Sequence, residues 1–169
     1  HSIEKAIKSN IFKEIIIVAN SKINKPKEKF IKVIKGGSER FKSSKKALEY
    51  IKNKKFKNVY IHDAARPNFS ITLLKKLKKE LKKNKAVIPY IKTDHSVKYK
   101  DGSNILNLKR ENLILTQTPQ CFDFKTLYKL YNRNITNVKL KHVKAHTSNT
   151  DIHSVGNFHA DRLATEAII

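Results

Sequence analysis

Ile15, Ile16, Ile17, Val18 and Ala19 follow one another without a polar break, inside the stretch EIIIVAN (14–20). A continuous, largely β-branched run of this kind predicts a strand buried on both faces. Ahead of it, Ile3, Ile7 and Ile11 recur at every fourth position and predict a short helix. After a lysine-rich connection containing Pro26, FIKVIKGG (30–37) reads as a short strand closed by two glycines. SERFKSSKKALEYI (38–51) then places Phe41, Ser44, Leu48 and Ile51 on one helical face, with Ser38 in the N-cap position. NVYIH (58–62) is the next strand. SITLLKKLKKELKK (70–83) is an amphipathic helix capped by Ser70, with Leu73, Leu74, Leu77 and Leu81 turned inward, and AVIPYI (86–91) is another strand.

Strands alternating with helices predict an α/β fold, a mostly parallel, helix-covered, Rossmann-like sheet. SVKYKDGSNILNLKR (96–110) departs from that rhythm. Its two extended arms flank Asp101-Gly102, a strong hairpin signal, and predict a protruding β-hairpin of the kind that serves as a dimer arm. FDFKTLYKLY (122–131) returns to an amphipathic helical pattern. From residue 138 onward the character changes: strand-like VKLKHVKA, a polar loop, then a helical NFHADRLATEAII. These form a C-terminal strand–loop–helix appendage that holds His142, His146, His153 and His159.

Composition narrows the classes. At 169 residues the chain is one domain, or one domain with an appendage. No run reaches the roughly 18 apolar residues of a membrane span, so no membrane role is expected. Cys121 is the single cysteine, which excludes an internal disulfide framework and fits a reducing cytoplasm. The net charge of +23 invites a nucleic-acid reading, but the arginines are only Arg40, Arg66, Arg110, Arg133 and Arg162. Base readers lean on arginine forks, whereas a lysine surface attracts anionic, phosphorylated molecules of many kinds.

The candidate chemistry concentrates in YIHDAARPNFS (60–70), where a hydrophobic strand ends abruptly in an acid, a base and a rigid turn. In open α/β sheets, ligands bind beyond the carboxyl ends of the strands, where Asp63 and Arg66 fall. A carboxylate there can hold Mg²⁺ against nucleotide phosphates, and an arginine can pair with phosphate through its fork. The structural alternative is that Asp63 caps the next segment while Arg66 makes an ion pair.

HDAARP, together with GGSERFKSS (36–44), PYIKTDHSVK (89–98) and LKRENLILTQTPQCF (108–122), resembles the ordered motifs of the 2-C-methyl-D-erythritol 4-phosphate cytidylyltransferases of isoprenoid biosynthesis. The resemblance covers residues 1–136 and implies a cytidylyltransferase-like nucleotide-binding domain. It implies Mg²⁺ as cofactor, with Asp63 as metal ligand, and CTP and a phosphorylated small molecule as substrates. Asp63, Arg66 and Arg110 would be catalytic. Gly37, Arg40, Ser43 and Asp63 would bind the nucleotide, and Arg66, Ser96, Arg110 and Thr118 the methylerythritol phosphate. Ser96 and Arg110 would come from the arm of a partner in a homodimer, through residues 91–112. The implied reaction is attack of the substrate phosphate on the α-phosphorus of CTP, releasing pyrophosphate, with catalysis by positioning and charge neutralisation.

Two departures from the family pattern bear on activity. His95 stands where an acid usually precedes the Ser/Thr. No glycine precedes Gly36, so the Gly-rich, basic loop that cradles the triphosphate in the family is expected to lie outside this sequence. The expectation is therefore an incomplete active site and little activity from this chain alone. Residues 137–169 resemble the C-terminal end of ribonuclease H, which implies His146 as a loop histidine, Asn157 as a polar contact and Asp161 as a metal-ligand carboxylate. Three readings follow: a cytidylyltransferase, a hybrid-binding or hybrid-cleaving nucleic-acid protein acting through its tail, and an inactive fusion or scaffold.

Overall fold

The computed structural model describes residues 1–24 and 27–132, with the backbone of 141–144 and 167–168. The chain opens on α1 (Ser2–Ser9), β1 (Ile15–Ala19), β2 (Ile31–Lys35), α2 (Arg40–Ile51), β3 (Asn58–Asp63), α3 (Ile71–Glu80) and β4 (Ala86–Lys92). It continues through β5 (Val97–Asp101), β6 (Asn104–Leu108), a 3-10 turn (Arg110–Asn112), β7 (Ile114–Thr116), β8 (Gln120–Asp123), α4 (Phe124–Asn132), β9 (Lys141–Lys144) and β10 (Ala167–Ile168).

Every residue of β1 is buried, as its unbroken apolar run requires. Ile16 and Val18 face a cluster with Ala47, Leu48 and Ile51 of α2 and Phe124 and Leu127 of α4. Ile15 and Ile17 face the other way, against Ala6 of α1 and Ile31 of β2. On α3 the Ser70 hydroxyl accepts the Leu73 N–H, the expected cap, and Leu74 and Leu77 are fully buried against Tyr60, Val87 and Cys121. The lysines of α3 form its solvated face.

The sheet is mixed, which corrects the mostly parallel expectation. β1 pairs with β2 in parallel, and β4 with β9. β10 runs antiparallel to both β1 and β3, and β8 antiparallel to both β3 and β4. The strands read from periodicity do share one direction, but returning antiparallel strands stand between them. β7 and β8, three and four residues long and separated by Pro119, are too short to announce themselves in the sequence. Pro89, which has no N–H to donate, lies between the β8 and β7 ladders of β4 and accepts the Gln117 N–H at 2.8 Å.

Three smaller expectations are also corrected. Glu39, not Ser38, is the N-cap of α2, without a side-chain cap bond, because the helix begins two residues after Ser38. Phe41 lies on the apolar face but in the first turn of α2, short of the core; it is 52% exposed and stacks on Tyr131 at 4.7 Å. Ala167 and Ile168 pair as β10, where the helical pattern of 157–169 had been extended to the end.

β5 and β6 make a separate two-stranded hairpin turning at Gly102, whose φ of +58° favours glycine. Nearly all of the hairpin is exposed, including Tyr99, Ile105, Leu106 and Leu108. Among the described residues, no helix is long and apolar enough to cross a membrane.

Candidate active site

Asp63 is the last residue of β3, so the strand that buries Val59 and Ile61 delivers its carboxylate to the carboxyl edge of the sheet. Arg40, the first residue of α2, places Nη2 2.9 Å from Asp63 Oδ1. Arg66 approaches from the following turn, with Nε 3.5 Å from Oδ2, and its N–H donates to the Asp63 carbonyl at 2.9 Å. The carboxylate therefore sits between two guanidinium groups. Arg66 Nη1 also donates to Gln117 Oε1 at 3.3 Å, joining the turn to the segment before β8.

The Gly36–Gly37 turn closes β2 beside this cluster. Gly36 N–H donates to the Ala19 carbonyl at 3.1 Å, and Gly37 N–H to Ser43 Oγ at 3.0 Å. A Cβ on Gly37 would stand 2.4 Å from Lys42 Cβ, so only glycine fits where the turn meets α2. Asn20 Nδ2 donates to the Gly37 carbonyl at 2.9 Å, and Lys46 Nζ to the Gly36 carbonyl at 2.7 Å. Sequence reading passed over Asn20 and Lys46; the only available signal for Asn20 was its place at the end of the EIIIVAN run.

Behind Asp63 the site is buried. Thr118 Oγ1 lies 2.9 Å from His62 Nδ1 and accepts the Asp63 N–H at 3.4 Å. His62 Nε2 is 3.4 Å from Ser2 Oγ. Burial, aided by the charge of Arg66, pushes the His62 imidazole down to about 4, against a backbone hydrogen bond with Arg66 that acts the other way. The ring is neutral at pH 7. Lys5 Nζ donates to the Pro67 carbonyl at 2.7 Å and ties α1 to the same turn. Cys121 is fully buried, and desolvation raises its thiol, so it is a core residue rather than a nucleophile.

Gly37, Arg40, Ser43, Asp63, Arg66 and Thr118 thus cluster at one edge of the sheet. Ser96 and Arg110 are instead exposed at the root of the hairpin, where Arg110 Nη1 donates to the Asp94 carbonyl at 3.4 Å. His146, Asn157 and Asp161 lie outside the described residues. Among the described residues, no group of three or more His, Cys, Asp or Glu side chains converges on a metal position. Asp63 fits Mg²⁺ by donor type alone, as a single hard oxygen ligand.

The sequence profile described as IspD, 2-C-methyl-D-erythritol 4-phosphate cytidylyltransferase, matches residues 1–149. The chain belongs to this family. The match runs past residue 136, where the recognisable motifs stop. A bifunctional enzyme IspD/IspF from Pelagibacter ubique is 46% identical over 168 residues, covering 90% of this chain and 45% of that protein. A 2-C-methyl-D-erythritol 4-phosphate cytidylyltransferase from Caldicellulosiruptor saccharolyticus is 41% identical over 111 residues, 63% of this chain and 49% of that one. The chain therefore spans about half the length of these curated relatives. Among solved structures, the Francisella tularensis 2-C-methyl-D-erythritol 4-phosphate cytidylyltransferase superposes with a TM-score of 0.76 at 24% identity, over 95% of this chain and 84% of that one. The likeness supports the same α/β fold with a mixed sheet.

Proposed function

We propose that this polypeptide carries the CTP and methylerythritol-phosphate site of a cytidylyltransferase acting in isoprenoid precursor synthesis. The observation that carries the reading is Asp63 at the carboxyl end of β3, paired with Arg40 and Arg66 beside the Gly36–Gly37 turn. Family membership supports the same reaction class. Gly37, Arg40 and Ser43 would line the nucleotide side. Arg66 and Thr118 would receive the phosphate of the second substrate, Arg66 by its charge and Thr118 by its hydroxyl.

Asp63 would hold Mg²⁺, with phosphate oxygens and water completing the shell. Bound there, the ion would neutralise phosphate charge. What the chain itself contributes is alignment: two guanidinium groups and a rigid turn fix the reacting phosphates without covalent help. Because Arg40 engages Asp63 directly, nucleotide binding is expected to draw Arg40 from the carboxylate toward phosphate.

Ser96 and Arg110 would complete the site from a second copy. The exposed Tyr99, Ile105, Leu106 and Leu108 of the hairpin support an arm-exchanging homodimer. The domain reading takes residues 1–136 as the nucleotide-binding unit and 137–169 as a C-terminal segment whose β9 and β10 join the same sheet. The deciding test is thermal stability with CTP and Mg²⁺. A rise in Tm that Asp63→Ala removes is expected; no rise at saturating CTP would overturn the nucleotide site.

A further inference from the structure

Arg66 is held only loosely by its own side chain. Nε stands 3.5 Å from Asp63 Oδ2 and Nη1 3.3 Å from Gln117 Oε1, both beyond the roughly 2.7–3.2 Å of a well-formed N–H···O bond. The guanidinium therefore goes where its backbone puts it. That backbone leaves β3 after Asp63 and folds back once, the Arg66 N–H donating to the Asp63 carbonyl at 2.9 Å. On its inner side the turn also meets the His62 ring through the Arg66 backbone. The entry to the turn is fixed by the ladders of β3, in which Ile61 pairs with Gln120 and Asp63 with Ala167. Residues 66–70 belong to no helix or strand, so the place of Arg66 depends on what holds the exit.

Lys5 holds it. Its Nζ donates to the carbonyl of Pro67, the residue after Arg66, at 2.7 Å and lies 5.6 Å from the centre of the Phe69 ring. An ammonium set between a carbonyl and an aromatic face is placed from two sides, unlike the solvated lysines of α3. Both ends of the contact are anchored in the core. Phe69 is buried with Leu74 and Leu77, and Ala6, next to Lys5 on α1, is buried with Ile15 and Ile31. Hydrogen bonds from a charged donor are roughly twice as strong as neutral ones. At 2.7 Å the Lys5 contact outweighs the two long side-chain contacts of Arg66.

We infer that Lys5 is a positioning residue for Arg66: by holding the Pro67 carbonyl it fixes the exit of the turn, and with it the guanidinium proposed to receive the substrate phosphate. The consequence for phosphate rests on the proposed substrate reading; the hold on the turn does not.

Amide hydrogen exchange in the ¹⁵N-labelled chain tests the hold. In Lys5→Met the Arg66 amide should exchange roughly tenfold faster, while the Val18 amide of β1 keeps its rate. In Lys5→Arg, which retains a charged donor, Arg66 should stay within about threefold of the unmodified chain. An unchanged Arg66 rate in Lys5→Met overturns the inference, and so does an equal acceleration at Val18, which marks a general loss of stability. Titration with 2-C-methyl-D-erythritol 4-phosphate supplies the second arm. Lys5→Met should lose about tenfold in affinity and Lys5→Arg less than about threefold. The ratio between Lys5→Met and the unmodified chain should persist in about 0.5 M salt, where exposed charges are largely screened. A ratio that disappears there makes Lys5 a distant charge and overturns the inference, as does full affinity in Lys5→Met. Faster Arg66 exchange in Lys5→Met, with no phosphate binding even by the unmodified chain, would support the hold on the turn and overturn the substrate reading instead.

Discussion

Arg40 and Asp63 meet at 2.9 Å across the carboxyl edge of the sheet, one from the first turn of α2 and the other from the last position of β3. Arg40 is 57% exposed, so the pair contributes little to stability, under about 1 kcal/mol. Its value lies in holding a cation where nucleotide phosphates are proposed to bind. Arg40→Ala is expected to leave the Tm without ligand within a few degrees while sharply reducing the CTP-dependent rise. An undiminished rise would remove Arg40 from the nucleotide site.

The two glycines of the β2–α2 turn should respond differently. In Gly37→Ala the new Cβ meets Lys42 Cβ at 2.4 Å and the Lys42 carbonyl carbon at 2.9 Å, neither of which can rotate away. A loss of about 1–3 kcal/mol in denaturant unfolding is expected. In Gly36→Ala the closest atom is Asn20 Oδ1 at 2.8 Å, the end of a side chain that can move. Its loss should be smaller, and the reverse ranking would contradict the turn geometry.

His62 sets a pH dependence of stability. Its folded value of about 4 lies below the ordinary 6.5, so the unfolded chain binds the proton more readily. The contribution is present above pH 6.5 and is lost as pH falls from there toward 4. Between pH 7 and pH 5 the loss should be about 2 kcal/mol. His62→Asn should flatten that part of the profile, as read from denaturant midpoints at each pH.

Leu74 and Leu77 are fully buried between α3 and the sheet. Leu77→Ala should cost about 2–5 kcal/mol, through lost burial and a residual cavity. Ser70→Ala, which removes the cap from Leu73 N–H, should cost about 1 kcal/mol. Chemical denaturation of both variants checks the depth of α3 in the core.

The hairpin offers a test of assembly. Leu106 is 55% exposed and Ile105 61%. If these residues are covered by a second copy, Leu106→Asp should shift the chain toward monomer in sedimentation at micromolar concentration, with no change in its far-UV circular dichroism. An unchanged sedimentation coefficient would argue against the arm as the interface.

Local pattern carried much of this fold. The unbroken run Ile15–Ala19, the Ile3–Ile7 spacing of α1 (Ile11 falls beyond its Asn10 cap) and the Ser70-capped leucines of α3 each encode an element through neighbours in sequence, because burial and capping act within a turn or a strand. The position of HDAARP after a buried strand likewise put Asp63 at the sheet's carboxyl edge. What the tertiary structure alone decided was which strands stand side by side. The short β8 enters between β3 and β4, and β10 between β1 and β3, through ladders that depend on distant backbone groups and leave almost no periodicity of their own. The same long-range closure brings Thr118 to His62, 56 positions away, and so makes a buried hydrogen-bond chain from two residues whose local periodicity could not pair them.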